Sequence, residues 1–389
     1  MTFAYPARST GASSDVTTDL PAVLTTRQPS AGDSRAGDRW RILPGNPSEL
    51  RQRSQRRRPP KSPLPVIATA LGVTLVGCSG TAPPADPRAG VPSSAVTSAP
   101  PAAPPASPTI RYPLTGRAAP SAQAATRPIV AVAVQSAVGR AASSGLDKAD
   151  QVYAYFPAPR RQRLLAVFQS QDASRVGPVA GTRPLDGSTA LVLRAVIEHS
   201  GGAPRFVRQL TATSLPQWSA VVHPASFARD STGALYGSTA SGRAAPGARP
   251  ALEGLVAFRT PVAAASTPAP VNVAVPGQPR LQLRYDASRR IWSGTLGPLA
   301  IRATNVILQR ANYQPLALSN TPGDTELQPK ALGEGKATVL SGAQASSATW
   351  NRRSRKRLTS YVASNGVPIR LVPGATWVII VPTGASITR

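Results

Sequence analysis

Cysteine and histidine are nearly absent from this chain of 389 residues, which contains one Cys and two His. A single Cys cannot form an intramolecular disulfide, nor can it supply a Cys-based zinc cluster. Two His exclude a His-rich metal site. We therefore expect neither a metal nor another cofactor, and any chemistry of the chain must come from other side chains.

Acidic residues are also scarce, with 17 Asp and Glu against 44 Lys and Arg. Residues 1–77 carry 11 of the basic and 5 of the acidic residues, so residues 78–389 keep a net charge of +21. Such a charge favours anionic surroundings, such as phospholipid headgroups, anionic wall polymers or nucleic acid. Because most of the arginines are scattered singly, a solvated Arg-rich surface is the alternative.

The N-terminal quarter of the chain has the composition of unfolded segments. Residues 1–60 show no hydrophobic periodicity and are predicted to be disordered, or to precede the true start of the protein. Residues 78–110 are rich in Pro, Ala and Ser, which predicts a semi-rigid linker. A weaker stretch of this type at 259–272 is the candidate boundary between two folded parts.

A basic run at 51–61 precedes fourteen mostly apolar residues at 64–77. A helix needs about 20 apolar residues to span a bilayer, so this run suits the core of a signal peptide, which we place at 61–77. It ends in Leu75-Val76-Gly77-Cys78, which resembles the lipobox of bacterial lipoproteins. The resemblance implies that Cys78 is lipidated and becomes the mature N-terminus, whereas the alternative is a buried core cysteine.

Strand and helix patterns alternate in the first folded part, residues 111–258, which predicts a mixed α/β domain. Residues 276–389 show short strand patterns bounded by Gly, Pro, Asn or Asp, which predicts a β-rich domain and an α+β fold class overall. The predicted strands of the first part are 129–134, 152–156, 164–168 and 195–199, with a turn at 157–162 and helices at 186–194 and from 203. The predicted strands of the second part are 281–285, 301–309, 337–340, 349–351, 358–362, 368–371 and 377–381.

Several short stretches, in the same order, resemble the YerB-like bacterial lipoproteins, a two-part family. They include Tyr-Pro-Leu-Thr-Gly at 112–116, Ser-Gly-Leu-Asp-Lys-Ala-Asp at 144–150 and Thr-Trp-Asn-Arg at 349–352. The match covers nearly all of 111–383. The chain departs from the family pattern at Ala154, where a Glu is usual, and at Ala180, where an Arg is usual. These departures imply that a polar site of the family would be altered here.

Polar residues near the predicted strand ends form a candidate ligand-binding set, because sites of α/β sheets tend to lie there. Two arginines could grip a carboxylate or phosphate, and a Ser-Gly-Gly turn before a helix could offer backbone N–H groups. The alternative is a tight turn without a ligand. The candidate set is Asp147, Arg163, Arg183, Glu198, His199, Ser200, Gly201 and Gly202.

A hydrolytic site is the main rival hypothesis. Glu198, His199 and Ser200 are disfavoured as a triad, because neighbouring residues of a strand point to opposite faces. An enzyme acting on a wall or sugar polymer would instead use the carboxylates of Asp147 or Glu198, with Asp150 near the former. Two acids three residues apart are also common in turns and helix caps.

The densest basic cluster follows a tryptophan, which is the pattern of a loop that contacts an anionic polymer. The alternative is a solvated turn. We expect no nucleic-acid partner, because an exported protein rarely meets one. The cluster consists of Trp350, Arg352, Arg353, Arg355, Lys356 and Arg357.

These patterns together predict a lipid-anchored lipoprotein on the extracytoplasmic face of the cell membrane. It would act as a binding or scaffolding module of the cell envelope rather than as an enzyme. The expected partners are the membrane, through the lipid anchor, and an anionic wall polymer or an envelope protein.

Overall fold

The computed structural model describes residues 109–137, 139, 143–262, 266–319 and 323–389. The predicted disordered segment, the signal peptide, Cys78 and nearly all of the predicted linker lie outside the described residues. Within the described ranges, no helix is long and apolar enough to cross a membrane.

The described chain is mostly β-sheet with few helices. Its α-helices are α1 (Ala122–Thr126), α2 (Pro184–Leu193), α3 (Pro204–Thr211) and α4 (Thr239–Arg243). Its strands up to residue 274 are β1 (Val130–Ala137), β2 (Gln151–Ala158), β3 (Arg161–Phe168), β4 (Val196–His199), β5 (Gln217–Ser219), β6 (Ala228–Arg229), β7 (Leu235–Tyr236) and β8 (Val271–Ala274). The later strands are β9 (Leu281–Asp286), β10 (Ile291–Leu296), β11 (Leu299–Ala303), β12 (Asn305–Ala311), β13 (Tyr313–Ala317), β14 (Thr325–Pro329), β15 (Gly333–Ser341), β16 (Gln344–Arg352), β17 (Ser360–Ala363), β18 (Thr376–Pro382) and β19 (Ser386–Thr388).

A ten-stranded sheet combines strands from both halves of the sequence. Its order is β17-β16-β15-β12-β18-β2-β3-β1-β4-β5. The halves meet where β18 pairs in parallel with β2, with Thr376 opposite Gln151 and Ile379 opposite Ala154. The two sequence regions therefore share a continuous backbone hydrogen-bond network.

The packing on both faces of strand β1 explains why its first residues form a continuous apolar run. Val130, Val132 and Val134 pack into a core cluster on one face of the sheet, together with Trp292 of the second sheet. The intervening Ala131 packs on the opposite face, against residues of α2. Because both faces are covered, the strand has no alternating polar positions. The second sheet, ordered β11-β10-β9-β8-β19, covers the first of these faces.

The hairpin of β2 and β3 is tighter than its sequence predicts. The expected turn at 157–162 shrinks to Pro159 and Arg160, because the strands extend to Ala158 and resume at Arg161. Arg160 adopts a left-handed conformation with φ of 56°. Pro157 lies inside β2, where the register shifts between Tyr155 and Ala158. This irregularity accommodates a residue that has no backbone N–H to donate.

Helix α2 begins two residues before the predicted start. Pro184 occupies its first turn, where the missing N–H is not needed. The Asp186 carboxylate accepts the backbone N–H of Arg183 at 2.9 Å. The helix ends at Leu193, and the following Arg194 caps it with φ of 54°. It packs Ala190 and Leu193 against the sheet, on the face opposite to the second sheet.

Two strand predictions in the second half were wrong. The expected strand at 301–309 is two strands in different sheets, since β11 ends at Ala303 and β12 begins at Asn305. The expected strand at 368–371 forms only isolated bridges, from Pro368 to Val362 and from Leu371 to Phe258. A proline cannot donate to a ladder, which limits regular pairing there.

Candidate functional site

A cavity of about 370 Å³ lies on the face of the ten-stranded sheet that carries α2. Its floor consists of side chains from neighbouring strands, including Tyr153 of β2, Val378 of β18 and Ile307 of β12. Leu185 and Thr189 of α2 form part of its wall. Its volume falls in the range of about 300–1,000 Å³ that is typical of ligand pockets.

The cavity is apolar with a few polar groups, and none of the described residues that line it is Asp or Glu. Its only basic lining residues, within the described chain, are Arg352 and Lys330. The other lining residues are Gln151, Gly254, Leu255, Val256, Ala257, Gln309, Pro329, Ala331, Leu358, Thr359, Ser360, Tyr361, Pro368, Ile369, Leu371, Thr376 and Ile380.

Arg352 is the most unusual residue of this cavity, because its side chain is buried and has no acidic partner in the described part of the chain. It lies at the end of β16 and is only 7% exposed. Its Nε donates to the carbonyl oxygen of Arg357 at 3.2 Å, and its Nη2 donates to that of Ser188 at 2.9 Å. Among the ion pairs of the described residues, none involves Arg352. A buried charge normally requires a partner of opposite sign.

Two tyrosines place their hydroxyl groups near this guanidinium. The hydroxyl of Tyr153 donates to Gln151 Oε1 at 2.9 Å, and that of Tyr361 donates to Gln309 Oε1 at 2.8 Å. Burial raises the pKa of Tyr153 to about 12, although the positive charge of Arg352 opposes the shift. Burial also raises the pKa of Tyr361. Both phenols are therefore neutral near pH 7 and leave the charge of Arg352 uncompensated.

The two arginines of the predicted binding set are already paired. Arg163 contacts Asp186 at 2.7 Å, with both side chains almost fully buried. Arg183 contacts Glu326 at 3.0 Å, and Glu326 also contacts Arg161 at 2.9 Å. The charge of Arg163 is therefore matched by that of Asp186, whereas Arg183 shares the carboxylate of Glu326 with Arg161.

The predicted Ser-Gly-Gly turn follows His199 of β4. The N–H of Gly201 donates to Nδ1 of His199 at 3.0 Å, and Nε2 lies 3.2 Å from Gln217 Oε1. Burial lowers the pKa of His199, so the ring is neutral near pH 7. The N–H of Ser200 donates to Ala180. Gly202 has φ of +139°.

The positive φ of Gly202 and the atoms packed around it require glycine at this position. A Cβ at Gly202 would approach the carbonyl oxygen of Thr182 to 2.9 Å. The tight-turn alternative explains the two glycines without a ligand.

The predicted carboxylates are held in different environments. Asp147 is exposed in a short 3₁₀ turn, 3.9 Å from Lys148. Asp150 is buried and accepts backbone N–H groups of Gln169 at 2.5 Å and Ser170 at 2.7 Å. Burial raises its pKa, against the effect of these hydrogen bonds. Asp150 therefore holds in place the backbone of Gln169 and Ser170, which directly follow β3.

Glu198 of β4 is fully buried, and both of its carboxylate oxygens lack a hydrogen-bond partner among the described residues. Burial raises its pKa to about 8, so the group is neutral at pH 7. A Cβ at Gly237 would lie 3.0 Å from Glu198 Oε2, so the absence of a side chain at Gly237 makes room for the carboxyl.

The basic cluster at 350–357 divides into buried and exposed residues. Trp350 is 3% exposed and donates from Nε1 to the carbonyl oxygen of Arg310 at 2.6 Å, so it offers no exposed stacking surface. Arg352 points to the same side of β16, since it follows two residues later. Contact with an anionic polymer stays a prediction for the exposed residues, which are Arg353, Arg355, Lys356 and Arg357.

The sequence patterns did not single out Tyr153, Tyr361, Lys330 or Gln151 as site residues. One signal was available for Arg352, because a strand that buries Trp350 also turns position 352 inward. The described residues contain no group of three or more His, Asp or Glu that could hold a metal ion.

Comparisons with known proteins agree with this architecture. Residues 114–245 match the family model described as the N-terminal domain of DUF3048, a protein of unknown function, and residues 280–378 match the model of its C-terminal domain. The crystal structure of the YerB protein from Bacillus subtilis superimposes with a TM-score of 0.58 at 21% identity. The alignment covers 72% of this chain and 99% of that chain, and at this identity it shows the fold alone. No curated protein matches the chain. The resemblance to YerB-like proteins is thereby confirmed, and the chain belongs to the DUF3048 family.

Proposed function

We propose that this protein is a lipid-anchored binding module of the cell envelope, which holds an anionic ligand with an apolar portion. The observation that carries the ligand proposal is the buried Arg352, which has no acidic partner among the described residues and lines an apolar cavity. Burial without a partner is unfavourable for an ion, and a bound anion would compensate the charge. Arginine suits this role because its planar fork binds phosphate and carboxylate with two hydrogen bonds.

The apolar walls indicate the rest of the ligand. Leu185, Val256, Ile307, Val378 and Ile380 all line the same cavity. Removing an apolar chain from water against such walls contributes about 0.8 kcal/mol per CH₂ group. An anion without an apolar part would leave this surface unused.

The membrane location rests on the sequence pattern alone. The basic run, the apolar segment of signal-peptide length and Leu75-Val76-Gly77-Cys78 together favour an exported lipoprotein. In cell fractionation, Cys78→Ala should move the protein out of the membrane fraction, whereas Ser79→Ala should leave it there. An unchanged membrane pool in Cys78→Ala would contradict the anchor.

The ligand proposal is tested by isothermal titration of the purified full chain with decyl phosphate. Replacing Arg352 removes charge-assisted hydrogen bonds that are each worth about 1.5–3 kcal/mol. Arg352→Gln should therefore weaken binding at least about tenfold. The matched control is Arg353→Gln, which removes the same charge from the exposed neighbouring residue and should bind as the wild type does.

Arg352→Lys keeps the positive charge and should retain part of the affinity, provided that thermal unfolding shows it to be folded. Equal affinities of the wild type and Arg352→Gln, or no binding by the wild type, would contradict the ligand proposal.

A polymer-hydrolysing enzyme is the second candidate. It is favoured by the raised pKa of Glu198, about 8, which is typical of general acids. Glu198 is completely buried, however, and neither it nor Asp147 lines the cavity of Arg352. Hydrolysis of wall fragments that is abolished by Glu198→Gln in a folded protein would favour the enzyme over the binding module.

A further inference from the structure

A second cavity, of about 500 Å³, adjoins the cavity of Arg352. Leu185, Lys330 and Ala331 line both. Ser188, whose carbonyl oxygen accepts the hydrogen bond from Arg352, lines the second cavity. Arg352 and Lys330 therefore lie at the boundary between the two cavities.

The second cavity is lined by basic and amide side chains, and its basic residues are Arg183, Lys330 and Arg355. Three glutamines line it: Gln209, Gln314 and Gln328. Gln314 and Gln328 stand opposite each other in the β13–β14 hairpin, so both side chains project from the same face. Phe206 adds an aromatic ring. Amide groups beside an aromatic ring suit a ligand that carries hydroxyl groups.

Gln328 gives the most specific indication. The residue is 6% exposed, and its Oε1 is buried without a hydrogen-bond partner among the described residues. Leaving a buried acceptor unpaired costs roughly 1–3 kcal/mol. Such a group in a native structure calls for a partner, and a ligand hydroxyl that donates to Oε1 would supply one.

We infer that the ligand is a phosphodiester amphiphile with a polyol headgroup. Its apolar chain occupies the first cavity, its phosphate lies at Arg352 and Lys330, and a hydroxyl of its headgroup donates to Gln328 in the second cavity. This inference rests on the proposed function, because it assumes that an anion binds at Arg352. The polyol can be glycerol, as in a phospholipid, or a sugar, as in a lipid-linked saccharide.

The test compares lipids with and without a headgroup on the full chain. One pair is dihexanoyl phosphatidylglycerol and dihexanoyl phosphatidic acid, and the other is glucosyl decyl phosphate and decyl phosphate. In at least one pair, the lipid with the polyol should bind at least about fivefold more tightly. The pair with the larger preference identifies the source of the headgroup.

Gln328→Leu should abolish that preference and leave the binding of the lipid without a headgroup unchanged. Gln123→Leu makes the same change at an exposed glutamine of α1 that lines neither cavity, so this matched control should retain the preference. The inference is overturned if neither pair of lipids shows a preference, or if Gln328→Leu preserves the preference. In that case, binding that depends on Arg352 would still support the proposed function. If no lipid binds at all, the proposed function fails as well.

Discussion

Arg352 donates from Nη2 to the carbonyl oxygen of Ser188 at 2.9 Å, and this bond connects a C-terminal strand to an N-terminal helix. Ser188 belongs to the region that matches the N-terminal family model, and Arg352 to the region that matches the C-terminal one. The cavity of Arg352 is likewise lined by both regions. The candidate site therefore exists only when the two regions fold together.

The two regions should unfold as one cooperative unit. The pairing of β18 with β2 places strands of both regions in one sheet, and separation would expose the edges of both strands. We expect urea transitions followed by circular dichroism and by tryptophan fluorescence to coincide. A fragment of residues 109–262 should show no cooperative transition, and a cooperatively folded fragment would contradict this prediction.

The buried pair of Arg163 and Asp186 should be essential for stability. Asp186→Asn leaves the arginine charge without its partner in a buried site, which should lower the free energy of unfolding by about 3–5 kcal/mol. Asp147→Asn makes the same chemical change at an exposed pair and should cost less than about 1 kcal/mol. Urea denaturation of the two variants checks the difference, and equal effects would show that burial does not govern the pair.

Glu198 should make the protein less stable as the pH rises. The folded state holds the proton up to a pKa of about 8, whereas the unfolded chain releases it near the ordinary value of 4.5. Between these values the folded state binds more protons, so the free energy of unfolding falls as the pH rises and levels off above about 8.

Glu198→Gln removes this titration. The stability of the wild type relative to Glu198→Gln should therefore decrease from pH 5 to pH 8, by up to several kcal/mol. Urea midpoints of both proteins across this range provide the measurement, and a difference that is independent of pH would mean that the carboxyl is not held neutral.

Local patterns of the sequence predicted much of the first half of the fold. The apolar run at 129–134, the paired runs at 152–156 and 164–168, and the helix beginning near Asp186 all correspond to observed elements. These elements depend on periodicity and capping within a few residues. The pairing of β2 with β18 could not be predicted, because it joins residues more than 200 positions apart.

The candidate site was less predictable than the fold. Arg163 and Arg183 are attractive anion ligands in sequence, but in the folded protein they form ion pairs with Asp186 and Glu326. Arg352 stands in a charged cluster that is typical of a solvated turn, and only the strand that carries Trp350 turns it inward. Whether a charge is compensated depends on tertiary contacts, which local patterns do not contain.

A crystal structure of the full chain with decyl phosphate would show directly whether Arg352 binds an anion in the apolar cavity. The phosphate should accept hydrogen bonds from the guanidinium of Arg352, with the alkyl chain against Ile307 and Val378. An empty cavity at saturating ligand, or a phosphate bound only to exposed arginines such as Arg353 and Arg357, would contradict this prediction.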